Sequence, residues 1–150
     1  AHEGRNIQIL RDICRVAAEP ESGTCLVVSD RVSHCRFFAE KLERRGVAVE
    51  LLTGKIPPES RSAIVAAVQN GEIKVLVATL QLIGEGFDCP GLSTLFLTTP
   101  IVFEGRLLQV IGRIIRPAEN KHARVFDYVD ENIPALLRSA HNRGLILAEL

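Results

Sequence analysis

Two arginines stand three residues apart in the otherwise nearly all aliphatic run LLQVIGRIIRP, Leu107 to Pro117. On a helix, Gln109, Arg113 and Arg116 fall at i, i+4 and i+7, which is one face. Gly112 lies beside them and leaves room for a ligand to approach. Leu107, Leu108, Ile111, Ile114 and Ile115 occupy much of the remaining circumference and can pack on a sheet. The expected helix, Glu104–Arg116, therefore presents one narrow cationic stripe. An ordinary amphipathic helix pairing its arginines with surface carboxylates would show a wider polar face. Rigidly held guanidinium groups match phosphate oxygens. An arginine that stabilises charge on a transferring γ-phosphate is worth ~10³–10⁵ in rate.

A second group lies in VLVATLQLIGEGFDCPGL, Val75 to Leu92. A strand ending at Thr79 leads through a helical turn, Leu80–Ile83, to Gly84-Glu85-Gly86 and then Asp88. Two glycines allow close backbone approach. Asp88 could accept hydrogen bonds from a ribose, and Thr79 could donate to a phosphate. An ordinary turn with an aspartate cap remains the alternative. TGK at Thr53–Lys55 is no Walker loop, because Ile56 follows the lysine and the upstream glycine spacing is wrong. The chain also has no acidic DExx motif at a strand end to hold magnesium.

The elements that must position these residues are short apolar strands alternating with helices. Strands are expected at Thr24–Ser29, Val47–Leu52, Ile73–Thr79, Ser93–Thr98 and Arg124–Val129. Their continuous Val/Ile/Leu runs suit a sheet covered on both faces. Helices are expected at Asn6–Ala18, Arg31–Arg45 with Gly46 as the stop, Pro58–Gln69 ending at Asn70-Gly71, and Ile133–Leu147. The pattern predicts an α/β three-layer sandwich with a mainly parallel central sheet. Hydroxyl residues then collect at carboxyl ends of strands: Ser29, Thr53, Thr79 and Thr98. That edge is where open parallel sheets bind ligands. Four such residues together suggest a phosphate-facing ledge, although Ser and Thr also simply cap following helices.

Composition sets bounds on partners. The chain has 150 residues, 47% hydrophobic, with Lys+Arg and Asp+Glu balanced at 18 each, so net charge announces no nucleic-acid partner. One Tyr, six Phe and no Trp argue against an aromatic base-stacking platform. The four cysteines form no CxxC pair, and three sit in apolar surroundings as small hydrophobes. No run approaches the ~20 apolar residues of a membrane span. With no signal peptide visible, the cytoplasm is the expected location and no membrane partner is expected. His34 reads as a solvated helix histidine, and Lys121-His122 as part of a loop before the last strand. The chain opens on AHEGRNIQIL without a Met and reads as one domain, 1–150, cut from a longer polypeptide.

Together these motifs resemble the C-terminal, second RecA-like domain of superfamily 2 DEAD/DEAH-box-type helicases and translocases. QVIGRIIRP resembles motif VI (QxxGRxxR), VLVATLQLIGEGFDCP motif V, and CLVVSDRVSHCRFFAEKL motif IV with its following helix. LLTGKIPPESRSAIVAAVQNGEIKVLVAT resembles the connecting segment, with Arg61 near the start of its helix. The C-terminal VDENIPALLRSAHNRG resembles the tail of the XPB-like and restriction-type branch. Gln109 stands where DEAD-box RNA helicases have His, and GEGFDCP replaces ARGxD. Those departures favour DNA over RNA.

The resemblance implies a P-loop-type NTPase fold without its own P-loop, and one half of an ATP-hydrolysing motor. ATP with Mg²⁺ would be bound mainly by an N-terminal RecA-like domain of the same polypeptide. Arg113 and Arg116 would reach the γ-phosphate across the cleft, with Gln109 near it and Gly112 alongside. Gly86 and Asp88 would flank the nucleotide. Ser29, Arg31, Thr53, Gly54 and Thr79 would contact nucleic-acid backbone independently of sequence. The isolated domain is expected to hydrolyse no ATP. The competing reading is a non-catalytic module of the same fold that docks a protein or nucleic acid.

Overall fold

Strands rich in Val and Leu, without polar alternation, form a sheet whose central members are buried on both faces. A computed structural model describes residues 3–19, 23–53, 56–84, 89, 91–98, 123–127 and 145–148. Among these, β1 (Thr24–Ser29), β3 (Val75–Thr79) and β4 (Leu92–Leu97) are buried at every position. They are joined by β2 (Val49–Leu52), β5 (Ala123–Asp127) and β6 (Leu145–Ala148). The six strands lie in the order β2-β3-β1-β4-β5-β6, and every neighbouring pair is parallel.

The five expected strands are present, with ends shifted by up to two residues. The sixth replaces part of an expected helix. Residues 145–147 belong to β6 rather than to the end of a helix over Ile133–Leu147. A short apolar run such as LILA satisfies either period, and pairing with the open edge of β5 decides it. The remainder of that helix, and the helix expected at Glu104–Arg116, lie outside the described residues.

Helices cover both faces. On one side α1 (Glu3–Ala17) and α2 (Val32–Arg44) pack Ile9, Ile13, Val16, Cys35, Phe38 and Leu42 against Cys25, Val27, Val77, Phe96 and Phe126. On the other, α3 (Pro58–Gln69) and the short α4 (Leu80–Gly84) pack Val68, Leu82 and Ile83 against Leu26, Val28, Leu76, Leu95 and Leu97. This is the expected three-layer sandwich. Strand residues alternate between the two clusters, as the period of two requires.

Helix ends follow local chemistry. Pro58 opens α3 at a position where its missing N–H costs nothing. Both α2 and α3 close through a left-handed glycine, Gly46 (φ 78°) and Gly71 (φ 77°). Val47 N–H then bonds Leu42 carbonyl and Gly46 N–H bonds Glu43 carbonyl, with Glu72 to Ala67 and Gly71 to Val68 repeating the arrangement. These closures swing the chain back to begin β2 and β3.

Candidate phosphate-facing edge

All six described strands run in parallel, so their carboxyl ends share one edge. Across it stand Thr53, Thr79, Ser29 and Thr98, following the order β2-β3-β1-β4. Ser29 is the direct register partner of Thr79. At ~4.8 Å between strands, the four positions span about 14 Å. The strand order also creates a crevice there. The helix after β1 (α2) packs on one face, while the helix after its neighbour β3 (α4) packs on the other. Adjacent strands whose connections diverge to opposite faces leave an opening between their ends, and ligands bind in it.

The hydroxyls at this edge are largely engaged within the fold. Ser29 has no exposed surface. Its Oγ accepts the Arg31 backbone N–H at 3.2 Å and lies 3.0 Å from His34 Nδ1. Thr79 Oγ1 accepts the Leu82 N–H at 3.4 Å and so caps the first turn of α4. Thr98 Oγ1 donates to Val28 carbonyl at 2.9 Å, tying β4 to β1 beyond the ladder. The capping alternative raised by the sequence is thus realised at Thr79. Thr53 is half-exposed.

What faces solvent at the end of β1 is Arg31. Its side chain is 75% exposed, with Nε 3.8 Å from Asp30 Oδ1. An ion pair so exposed is weak and leaves the guanidinium available. Arg61, at the start of α3, is half-buried and donates from Nε to Ile56 carbonyl at 3.3 Å.

His34 departs from expectation. It is half-buried rather than solvated. Its Nδ1 meets Ser29 Oγ, its Nε2 lies 3.2 Å from Asn6 Oδ1, and its ring sits 4.6 Å from that of Phe38. With Asn6 Oδ1 as acceptor, Nε2 carries the proton and Nδ1 accepts from Ser29, an assignment made from the hydrogen-bond pattern. Helical spacing carries the signal that identifies it: 34, 38 and 42 share a face, and Phe38 and Leu42 are core residues.

Cys35, one residue on, is fully buried and donates from Sγ to Ala78 carbonyl at 3.4 Å. Burial pushes its thiol up to about 11, with the Asp30 charge adding to the rise and a hydrogen bond with the Ser29 backbone opposing it. It is therefore a structural thiol rather than a nucleophile. Cys25 and Cys89 are likewise buried, as the apolar surroundings predicted, and neither forms a disulfide; Cys14 is half-exposed.

Gly54, Gly86, Asp88, Gln109, Gly112, Arg113 and Arg116 lie outside the described residues, as do Lys55, Lys121 and His122. The described strands nonetheless bracket the cationic segment. Its flanks are Leu97 at the end of β4 and Ala123 at the start of β5, and these strands pair in register from Thr94↔Arg124 to Leu97↔Asp127.

Comparison with known proteins agrees with this arrangement. The family model described as "Helicase conserved C-terminal domain" matches residues 5–118. A helicase-named protein of Sulfolobus islandicus filamentous virus (isolate Iceland/Hveragerdi) is 31% identical over 116 residues, covering 77% of this chain and 20% of its own length. The UvrABC system protein B of Nitratidesulfovibrio vulgaris (strain DP4) is 33% identical over 108 residues, covering 69% and 15%. The chain thus spans about a fifth of the length of the curated relatives it matches. Among solved structures, the E. coli DEAD-box protein SrmB superposes with a TM-score of 0.70 at 20% identity, covering 96% of this chain and 84% of that one. T4 UvsW superposes at 0.69 with 16% identity, covering 96% and 34%. At such identities these superpositions establish the fold.

Proposed function

The chain belongs to the helicase conserved C-terminal domain family, and we propose that it is the second motor domain of an ATP-dependent nucleic-acid translocase. The observation that carries this reading is the family match over residues 5–118, which takes in both the hydroxyl-lined edge and the Gln109/Arg113/Arg116 segment. An adaptor that only docks a partner has no need of that cationic stripe.

In this reading the chain contributes three things. Arg113 and Arg116 place positive charge where negative charge grows on a γ-phosphate held, with Mg²⁺, by a separate N-terminal domain. Gln109 and Gly112 stand beside them, and Gly86 and Asp88 flank the nucleotide. The carboxyl edge grips nucleic-acid backbone, with Arg31, Thr53, Gly54 and Thr79 as contacts and Ser29 acting from beneath. Bound ATP supplies the phosphoryl transfer that drives movement. The chain's own work is to supply charge and to hold the strand. Backbone contacts of this kind are insensitive to base sequence and weaken with salt. DNA is the favoured substrate, because Gln109 and GEGFDCP depart from the RNA-helicase pattern.

The test is ATP hydrolysis by the full-length protein with duplex DNA, single-stranded DNA and RNA as stimulants. Stimulation by nucleic acid, strongest with DNA, is expected. No ATP hydrolysis by the full-length protein, with or without the three nucleic acids, would leave the docking module as the better reading.

A further inference from the structure

One side chain at the carboxyl edge is neither exposed nor part of either apolar core. His34 touches Ser29 Oγ with Nδ1 at 3.0 Å and Asn6 Oδ1 with Nε2 at 3.2 Å. Three elements thereby meet at one ring: the end of β1, the first turn of α2, and the amino-terminal part of α1. The same Ser29 hydroxyl accepts the backbone N–H of Arg31 at 3.2 Å. Arg31 precedes α2 in extended backbone (φ −123°, ψ 133°), and its own side chain makes no cap bond there. The conformation of the Asp30-Arg31 link therefore depends on where the Ser29 hydroxyl points. A hydroxyl rotates freely unless its hydrogen has a fixed acceptor. Nδ1 supplies that acceptor, and the bond from Nε2–H to Asn6 holds the ring tautomer that leaves Nδ1 unprotonated.

We propose that His34 is a positioning residue for the nucleic-acid grip, orienting the Ser29 hydroxyl so that it holds the Arg31 backbone and presents the exposed Arg31 guanidinium to a phosphate. This rests on the motor reading above, since it assigns nucleic-acid backbone as the ligand of the edge. His34 touches no ligand itself. It acts through Ser29.

The two ring nitrogens can be replaced separately. Asn at position 34 places an amide near the Nδ1 position and keeps the Ser29 bond while losing Asn6. Gln reaches the Nε2 position and keeps Asn6 while losing Ser29. The experiment measures binding of fluorescently labelled duplex and single-stranded DNA by the full-length protein across a salt series. The variants are His34→Asn, His34→Gln, His34→Ala, Arg31→Ala and the Arg31→Ala/His34→Ala double variant, with thermal denaturation run on each.

Wild-type-like affinity is expected for His34→Asn. His34→Gln and His34→Ala should weaken binding by about 3- to 10-fold, the size of one hydrogen bond. Arg31→Ala should weaken binding and lower the salt slope by about one. His34→Ala should have no further effect once Arg31 is gone. Additive losses in the double variant would overturn the proposal, because His34 would then act independently of Arg31. So would equal losses for Asn and Gln, or wild-type affinity for Gln and Ala while Arg31→Ala is impaired. That last outcome leaves the motor reading intact. A wild-type protein that binds no nucleic acid would instead remove the reading on which the proposal stands.

Discussion

Replacing Phe126 with alanine should loosen the frame around the cationic segment. Phe126 is 2% exposed and Phe96 fully buried. They are register partners on β4 and β5, and their rings stack at 4.7 Å between centroids with planes 16° apart. Arg15 of α1 lies 6.0 Å above the Phe126 ring, so α1 is joined to the same contact. Truncating a buried Phe to Ala costs about 3–5 kcal/mol. Of that, about 0.5–1.5 kcal/mol belongs to the ring pair beyond its buried area. The loss is a large share of the ~5–15 kcal/mol that stabilises a domain. At ~2–4 °C per kcal/mol for a chain of this size, Tm should fall by roughly 10 °C. Leucine, which keeps most of the volume, should cost less than half as much. Urea and thermal denaturation followed by circular dichroism measure both. Because β4 and β5 flank residues 98–122, nucleic-acid-stimulated ATPase of the full-length protein should fall below the wild type at temperatures where the variant is still folded. A Phe126→Ala variant within about 1 kcal/mol of wild type would refute the reasoning, since the stack would then not hold β5 in place.

Further outcomes follow from buried and closely packed groups. Thr94 Oγ1 is buried without a hydrogen-bond partner, so Thr94→Val should be neutral or stabilise by about 1 kcal/mol, readable as a shift in urea midpoint at constant m. Cys35 keeps its proton to about pH 11 when folded, against 9.0 as its reference value. Its stabilising contribution is therefore complete below pH 9 and is lost as pH rises toward 11, a loss absent in Cys35→Ala; a thiol reagent at neutral pH should modify half-exposed Cys14 well before Cys35. A Cβ at Gly23 would lie 2.8 Å from Gly91 carbonyl oxygen and 2.8 Å from Ser93 Oγ, so Gly23→Ala should destabilise by about 1–3 kcal/mol where β1 begins beside β4.

The parts of the fold legible in the sequence were those with a repeated local signal. Uninterrupted, Val-rich runs such as CLVV and VLVA suit strands buried on both faces, and Gly46 and Asn70-Gly71 mark helix ends because a left-handed residue is needed there. The collection of Ser29, Thr53 and Thr79 on one edge followed from parallel strands alone. The sixth strand was not legible, since LILA suits a helix or a strand equally and its pairing with β5 is a long-range event. The roles of the hydroxyls were not legible either. Whether Ser29 faces a ligand or a neighbouring histidine depends on how α1 and α2 pack, and only the three-dimensional arrangement brings Asn6 to His34 across 28 positions of sequence. His34 itself carried a usable clue in its spacing from Phe38 and Leu42, which outweighs the general tendency of histidine to lie at surfaces.

The central claim is that Arg113 and Arg116 complete an ATP site whose other half lies in a separate domain. The direct measurement is single-turnover ATP hydrolysis by the full-length protein bearing Arg113→Ala or Arg116→Ala, alongside nucleotide and DNA binding. The account predicts that hydrolysis falls by about 10³-fold or more while both ligands still bind. Hydrolysis at the wild-type rate in both variants would contradict it.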